Sequence, residues 1–150
     1  MSNHTACVEW TMGEGDFVSG RYSREHRWTF DGGAVVQASP TPAVVPEPFS
    51  NPACVDPEEA FVAAVASCHM LTFLHIAGRA GFSVIGYRDE AVGTMTKNAQ
   101  GAYWISEITL NPAIEYAGNA PTEAELDDLH DQAHEHCFIA NSIRTEVLVG

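Results

Sequence analysis

The residues with the greatest chemical potential in this 150-residue chain are its four cysteines. Cys68 lies in the middle of a long apolar segment, and Cys137 ends an apolar stripe at helical spacing in a second segment. Because the two stripes must pack on one another, the pair is more informative than either cysteine alone. Such a pair, in a chain with no secretory signal, is more often redox-active or metal-binding than structural. Cys68 and Cys137 can also be small apolar core residues. Cys7, in a predicted strand, and Cys54, in a proline-rich segment, are interpreted as structural or incidental.

The seven histidines suggest a second chemistry, metal binding. His130 and His134 are four residues apart and share a helix face. The full set of candidate nitrogen and sulfur ligands is His69, His75, His130, His134, His136, Cys68 and Cys137. However, the chain has no Cys-x-x-Cys or His-Glu-x-x-His spacing, and His130 and His134 are predicted near an acidic, solvent-facing side. We therefore expect neither a metal nor an organic cofactor. Nor do we expect His69 to be a base for Cys68, because adjacent helical side chains point about 100° apart.

The first third of the chain is predicted to form strands and turns. Short runs rich in aromatic and β-branched residues predict strands at Ala6–Thr11, Arg27–Phe30 and Ala34–Ala38, with a hairpin turn at Asp31-Gly32-Gly33. Ser39–Pro52 holds five of the eight prolines, which predicts an extended loop.

A long helix is predicted to carry Cys68. Asp56 can cap it, Pro57 suits the first helical position, and Glu59 completes a capping box. The helix should run to about Arg79, with Gly78 and Gly81 ending it. Its apolar residues cover nearly the whole circumference, which predicts a central, buried helix. We prefer this to a membrane span because Ser, Cys, His and Thr interrupt the apolar run.

The second half combines strands with an amphipathic helix. Strands are predicted at Val84–Thr94 and Tyr103–Leu110, at Ala113–Tyr116, and at the end of the chain over Ser142–Val149. Thr122 and Glu125 form a second capping box. The helix that follows has an apolar face (Leu126, Leu129, Ala133, Cys137) and an acidic face predicted to meet solvent (Asp127, Asp128, Asp131, Glu135). The whole chain, residues 1–150, is predicted to be one α+β domain.

Charge narrows the classes of partner. Acidic residues outnumber basic ones 20 to 7, for a net charge of −13. Binding to nucleic acids or anionic membranes needs clustered lysines and arginines, so we expect neither partner. The first residues lack the pattern of a secretory signal, and we expect a cytoplasmic protein.

Two cysteine motifs carry a family resemblance. The segment Asp56–Cys68 places Pro-Glu at a helix start and a cysteine ten residues after Glu58. A second run, Ala133-His-x-x-Cys137-x-x-x-Asn141, follows in the same order along the chain, and Arg24-Glu-His-Arg27 precedes Asp31-Gly32. Together these motifs resemble the OsmC/Ohr family of thiol peroxidases, which act on organic hydroperoxides. The chain is similar to a divergent member, with His69 where Phe is usual and Phe138 where Pro is usual.

The resemblance implies a role for each motif residue. Cys68 would be the peroxidatic nucleophile and Cys137 the resolving cysteine, with a Cys68–Cys137 disulfide as intermediate. A thiolate needs a nearby cation, because burial alone raises a thiol pKa. Arg24 held by Glu58 would supply that charge, with Arg27 and Arg21 as alternatives. The reductant would be a lipoyl-type or thioredoxin-like dithiol, and the protein would be an antioxidant of the stress response. A non-catalytic binding protein on the same scaffold is the alternative function.

The remaining predictions concern the substrate pocket and the oligomeric assembly. Met70, Phe73, Phe138 and Ile139 could line an apolar pocket for an alkyl hydroperoxide, with plain core packing as the alternative. Glu58 and Cys68 are separated by about 15 Å and about 80° on a straight helix, so they cannot be in direct contact within one helix. Arg24 could span the gap, or the helix could be interrupted. The resemblance instead implies an intertwined homodimer with two sites at its interface. It also implies the fold of that family, with antiparallel sheets and a long buried central helix that carries the reactive cysteine.

Overall fold

The computed structural model describes all 150 residues. Within residues 1–60, the strands form two small antiparallel sheets. The strands are β1 (Ala6–Glu9), β2 (Gly15–Asp16), β3 (Arg21–Tyr22), β4 (His26–Phe30) and β5 (Val35–Ala38). One sheet has the order β1-β4-β5 and the other pairs β2 with β3. The predicted hairpin is confirmed: the Gly33 N–H donates to the Phe30 carbonyl, and Gly33 has the left-handed φ of +84° that its turn needs.

The proline-rich segment is not an extended loop, and that prediction is wrong. Between β5 and the first helix the chain folds into successive turns. The Thr41 carbonyl accepts hydrogen bonds from the N–H groups of Val44 and Val45, both at 3.0 Å. Pro42 sits at the second position of this turn, where its fixed φ favours turn formation over extension.

The long helix α1 (Pro57–Arg79) begins and ends as predicted. At its start the Glu59 N–H donates to the Asp56 carboxylate at 2.7 Å, and the Asp56 N–H donates to the Glu59 carboxylate at 3.1 Å. At its end the Phe82 N–H reaches the Ala77 carbonyl at 3.0 Å and the Gly81 N–H reaches that of Gly78 at 3.2 Å. Gly81 has a φ of +92°, so the helix ends in a Schellman motif.

The single chain buries one stripe of α1, not its whole circumference. Val65, His69, Phe73 and Ala77 are buried, four residues apart, whereas Leu71 is 61% exposed. The predicted burial of α1 around its whole circumference is therefore not found in a single chain. By length and composition alone, α1 is also apolar enough to cross a membrane, a test that core helices of folded domains pass as well.

Residues 61–150 hold the rest of α1, two sheets and a second helix. The elements after α1 are β6 (Val84–Asp89), β7 (Val92–Lys97), β8 (Tyr103–Leu110), β9 (Pro112–Tyr116), α2 (Glu123–His136), a 3₁₀ turn (Ala140–Ser142) and β10 (Glu146–Val149). One sheet has the order β10-β8-β7, and β6 pairs with β9. The α+β class is confirmed. The antiparallel expectation has one exception, because β10 runs parallel to β8.

The predicted strand Val84–Thr94 is wrong, since it is two strands in different sheets. The break falls at Glu90 and Ala91, between β6 and β7. Asn111 fixes it: its N–H donates to the Asp89 carboxylate at 2.7 Å and its side-chain amide to the Glu90 carbonyl at 3.0 Å. A residue distant in sequence thus ends β6.

Two apolar clusters hold α1 within residues 61–150. Val65 packs with Ile105, Ile108 and Leu110 of β8. Further along the helix, a second cluster joins α1 to α2 and contains Phe73, Ala77, Leu129 and Ala133. Cys68 lies between these two anchoring points on α1, so its position relative to α2 is set by packing on both sides.

Candidate active site

The structure brings Cys68 and Cys137 together. Cys68 is half-buried in the middle of α1, and Cys137 is fully buried immediately after α2, where it is the C-cap residue. Cys68 is close enough to Cys137 to raise the pKa of the Cys137 thiol, and both thiols are free. The apolar stripes identified in the sequence therefore do place these two thiols side by side.

The backbone around Cys137 is fixed by several hydrogen bonds. The Ala140 N–H donates to the Cys137 sulfur at 3.4 Å. The side-chain amide of Asn141 donates to the carbonyls of Glu135, at 2.8 Å, and Cys137, at 3.0 Å. Asn141, known from the sequence only as part of a motif, thus satisfies carbonyls at the C-terminal end of α2 that have no partner within the helix.

The surroundings of Cys137 favour its protonated form. Burial raises the pKa of the Cys137 thiol, and its hydrogen bond to Cys68 raises that pKa further, while the Ala140 N–H acts in the opposite direction. A thiol that keeps its proton is a poor first nucleophile, so the geometry distinguishes the two cysteines.

Arg24 is fixed in residues 1–60 by backbone groups, not by a carboxylate. Its guanidinium donates to the carbonyls of Tyr22, at 2.9 Å, and Gly20, at 3.1 Å, and its Cζ lies 4.1 Å from the centre of the Tyr22 ring. The expected Arg24–Glu58 ion pair does not form in the single chain, whose two ion pairs are Arg27–Glu9 and Arg88–Glu90. Of the three candidate arginines, Arg27 is thus engaged by Glu9, while Arg21 is exposed.

An aromatic cluster surrounds Arg24, and the sequence analysis did not identify it. Phe17 stacks on Tyr22 with ring centres 4.9 Å apart, and Trp10 meets Tyr22 edge-on at 5.4 Å. A shallow cavity of about 330 Å³ is lined by Trp10, Phe17, Tyr22, Arg24, His26 and Pro40. The only signal was the density of aromatic residues between positions 10 and 22.

The four expected pocket residues have different environments. Phe73 is fully buried in the cluster between α1 and α2, so core packing accounts for it. Ile139 packs against the cluster of Val65 and β8. Met70 is half-buried, and Phe138 is 84% exposed beside the buried Cys137.

His130 is not at the solvent-facing side of α2, and that prediction is wrong. It is buried and hydrogen-bonded to His69, with His69 Nε2 and His130 Nδ1 3.0 Å apart. Burial, with smaller effects of His130 and His134, lowers the pKa of His69 to about 4. Both rings are therefore neutral near pH 7. No group of three His, Cys, Asp or Glu side chains is placed to hold a metal ion.

Comparisons with known proteins agree with the fold. The family model described as OsmC-like protein matches residues 50–150. An OsmC-like protein of unknown function from Vibrio cholerae is 47% identical, with a TM-score of 0.96, over 100% of this chain and 99% of that one.

Two organic hydroperoxide resistance proteins share the fold at low identity. The one from Legionella pneumophila is 17% identical, with a TM-score of 0.69 over 99% of this chain and 96% of that one. The one from Bacillus subtilis is 20% identical, with a TM-score of 0.63 over 97% and 96%. Among curated proteins, none matches this sequence.

Proposed function

The chain belongs to the OsmC-like family, and from this premise we propose that it is a cysteine peroxidase that reduces organic hydroperoxides to alcohols. The observation that carries the proposal is the proximity of a half-buried Cys68 to a buried Cys137 whose pKa is raised. One thiol is accessible to a substrate, and the second stands ready beside it. The organic hydroperoxide resistance proteins with the same fold support this choice of substrate class.

The proposed reaction has three steps. The Cys68 thiolate attacks one peroxide oxygen, the O–O bond breaks, and a proton goes to the departing alkoxide, giving an alcohol and a Cys68 sulfenic acid. The Cys137 thiol then condenses with the sulfenic acid, forming the disulfide and releasing water. An external dithiol, lipoyl-type or thioredoxin-like, reduces the disulfide by exchange. The protein would serve as an antioxidant in the cytoplasm.

Arg24 is proposed as the activating cation, with Glu58 as its carboxylate partner in the assembled homodimer, because the two do not pair within one chain. A guanidinium stabilises a thiolate and the negative charge that develops on the leaving oxygen. The support for Arg24 is its immobility, because two carbonyls and the Tyr22 ring hold its guanidinium in place. Met70 and Phe138 are proposed to contact the apolar part of the hydroperoxide, and the functional unit is proposed to be a homodimer.

Thiol counting tests the proposal. Reduced protein is treated with one equivalent of cumene hydroperoxide, and free thiols are titrated over time. We expect rapid loss of two of the four thiols in the wild type, no loss in Cys68→Ser, and loss of one thiol followed by overoxidation in Cys137→Ser. The Cys7→Ser/Cys54→Ser variant is the matched control and should behave like the wild type. A wild type that keeps all four thiols for minutes would refute the peroxidase.

A further inference from the structure

We infer that His69 and His130 are a positioning pair, whose hydrogen bond holds α1 and α2 so that the Cys137 thiol reaches Cys68. The inference rests on the proposed function, since it concerns the disulfide-forming step. It gives a role to two residues other than the proposed reactive cysteines. Neither histidine touches the reacting sulfurs in this assignment, so both act through the helices that carry them.

The pair connects the same two helices as the cysteines do. His69 directly follows Cys68 on α1, and His130 of α2 precedes Cys137, the C-cap residue of that helix, by seven residues. Seven residues are about two helical turns, or about 10 Å along α2. An apolar cluster of Phe73, Ala77, Leu129 and Ala133 also joins the two helices. Apolar packing is not directional, whereas the His69–His130 hydrogen bond fixes the rotation of one helix relative to the other.

The histidine contact is buried and closely packed. His69 is 1% exposed and His130 is 7% exposed. Their rings are nearly parallel with centres 5.2 Å apart, and Phe73 stacks on His130 at 4.6 Å. Because the two rings are buried, removing one partner of the hydrogen bond leaves a buried polar atom unsatisfied, which is costly.

The direction of the hydrogen bond follows from the unpaired atom of His69. Its Nδ1 is buried and has no hydrogen-bond partner. A buried N–H without an acceptor is rarer than an unused lone pair, so Nδ1 carries no proton. His69 Nε2–H is then the donor and His130 Nδ1 the acceptor. A further proton would have to bind either His69 Nδ1, which has no hydrogen-bond partner, or His130 Nδ1, which already accepts the hydrogen bond.

The titratable groups facing the pair come from two elements. Asp127, Asp131 and His134 come from α2, and Asp89 comes from β6. Burial lowers the pKa of His130, and Asp127, Asp131 and Asp89 act in the opposite direction. Burial also lowers the pKa of His69, to about 4. Both rings are therefore neutral near pH 7, the state in which one imidazole can donate the hydrogen bond and the other accept it.

The test measures how strongly Cys137 competes for Cys68, first without any peroxide. In the Cys7→Ser/Cys54→Ser background, equilibrium with reduced and oxidised glutathione gives the effective concentration of Cys137 for Cys68. His69→Met and His130→Leu remove the hydrogen bond at similar size, and we expect the effective concentration to fall about tenfold or more. His130→Asn puts a polar atom where Nδ1 lies and is expected to stay within about threefold of the wild type. Phe73→Leu, which loosens the packing and leaves both histidines in place, is the structural control.

The outcomes separate this inference from the proposed function. If His69→Met and His130→Leu keep the wild-type effective concentration, the positioning pair is refuted. If His130→Leu does not fold, His130→Asn is compared with His130→Gln, of which only asparagine restores the bond; equal values would refute the pair as well. The rate of losing the second thiol after one equivalent of cumene hydroperoxide is measured in parallel. A wild type that ignores the peroxide refutes the peroxidase alone, because the glutathione equilibrium remains measurable.

Discussion

Cys68 and Cys137 illustrate how much a residue's neighbours decide its chemistry. Both are thiols on the apolar sides of their segments, and burial patterns in the sequence do not distinguish them. The fold makes them different, because Cys137 is fully buried, which raises the pKa of its thiol, whereas Cys68 is half-buried. This difference is consistent with the proposed division between a first nucleophile and a second thiol.

The stability of the fold should depend on the protonation of His69. Its pKa is lowered from 6.5 to about 4, first by burial and then by His130 and His134. Below pH 6.5 the unfolded chain binds a proton at this position that the folded chain refuses, so the free energy of unfolding falls as pH falls from 6.5 to 4. The contribution amounts to about 3 kcal/mol over that range.

Chemical denaturation at pH 7 and pH 4.5 measures this effect. Other groups titrate in the same range, so His69→Gln, which has no titratable side chain, is the control. The wild type should lose about 2 to 3 kcal/mol more than His69→Gln does on acidification. Equal losses in the two proteins would mean that His69 is not held neutral in the fold.

The burial of His130 could not be predicted from the sequence, and the reason is physical. Asp127, His130, Asp131 and His134 recur at the spacing of one helix face, and three of them are exposed. A run of charged and polar residues predicts solvent. The contact that buries His130 comes from His69, 61 residues earlier, and no local pattern reports such a partner. Cys137, by contrast, lies on an apolar stripe whose burial is a local property.

At the scale of secondary-structure elements, the sequence predicted the boundaries that neighbouring residues set, and it missed a boundary that a residue distant in the chain helps to set. The two capping boxes, Asp56 with Glu59 and Thr122 with Glu125, act within four residues, and both helices begin where the sequence predicts. The break between β6 and β7 depends on Asn111, about 20 residues away. The predicted single strand Val84–Thr94 is interrupted at Asp89-Glu90-Ala91, residue types that are depleted in strands, so the sequence held a weak local signal as well.

Two glycines are expected to respond in opposite ways to replacement by alanine, because Gly93 lies where β7 packs closely on α1 and Gly78 does not. A Cβ at Gly93 would lie 2.5 Å from Cγ2 of Val62, whose β-branched side chain has little freedom to move. Gly93→Ala should therefore lower the free energy of unfolding by about 1 to 3 kcal/mol. A Cβ at Gly78, inside α1, would meet no atom within 4 Å. Gly78→Ala should raise stability by about 0.5 to 1 kcal/mol through helix propensity.

Thermal and denaturant unfolding of the two variants check this contrast. The substitution is the same in both, so a general effect of adding a methyl group cancels. A Gly93→Ala protein as stable as the wild type would mean that β7 and α1 are further apart than the structure places them.

At the scale of the whole molecule, the single chain leaves apolar surface open around α1. Leu71, on α1 itself, and Val92 and Met95, on β7, are exposed. A helix this apolar gains free energy from further cover, which a second copy of the chain would provide. Each copy carries a net charge of −13, however, so two copies repel one another through their long-range fields. Apolar burial and charge repulsion thus act against each other in the proposed homodimer.

This balance gives the homodimer a definite response to salt. Sedimentation equilibrium should give about twice the 16.2 kDa chain mass, and association should strengthen from 20 mM to about 300 mM NaCl because salt screens the repulsion between two acidic chains. Leu71→Asp places a charge in the exposed apolar surface of α1 and should shift the mass toward 16.2 kDa. Val18→Asp adds the same charge at an exposed apolar residue in the first sixty and is the matched control. A wild type that sediments at 16.2 kDa at every salt concentration would exclude the dimer, and weaker association at high salt would mean that ion pairs hold the copies together.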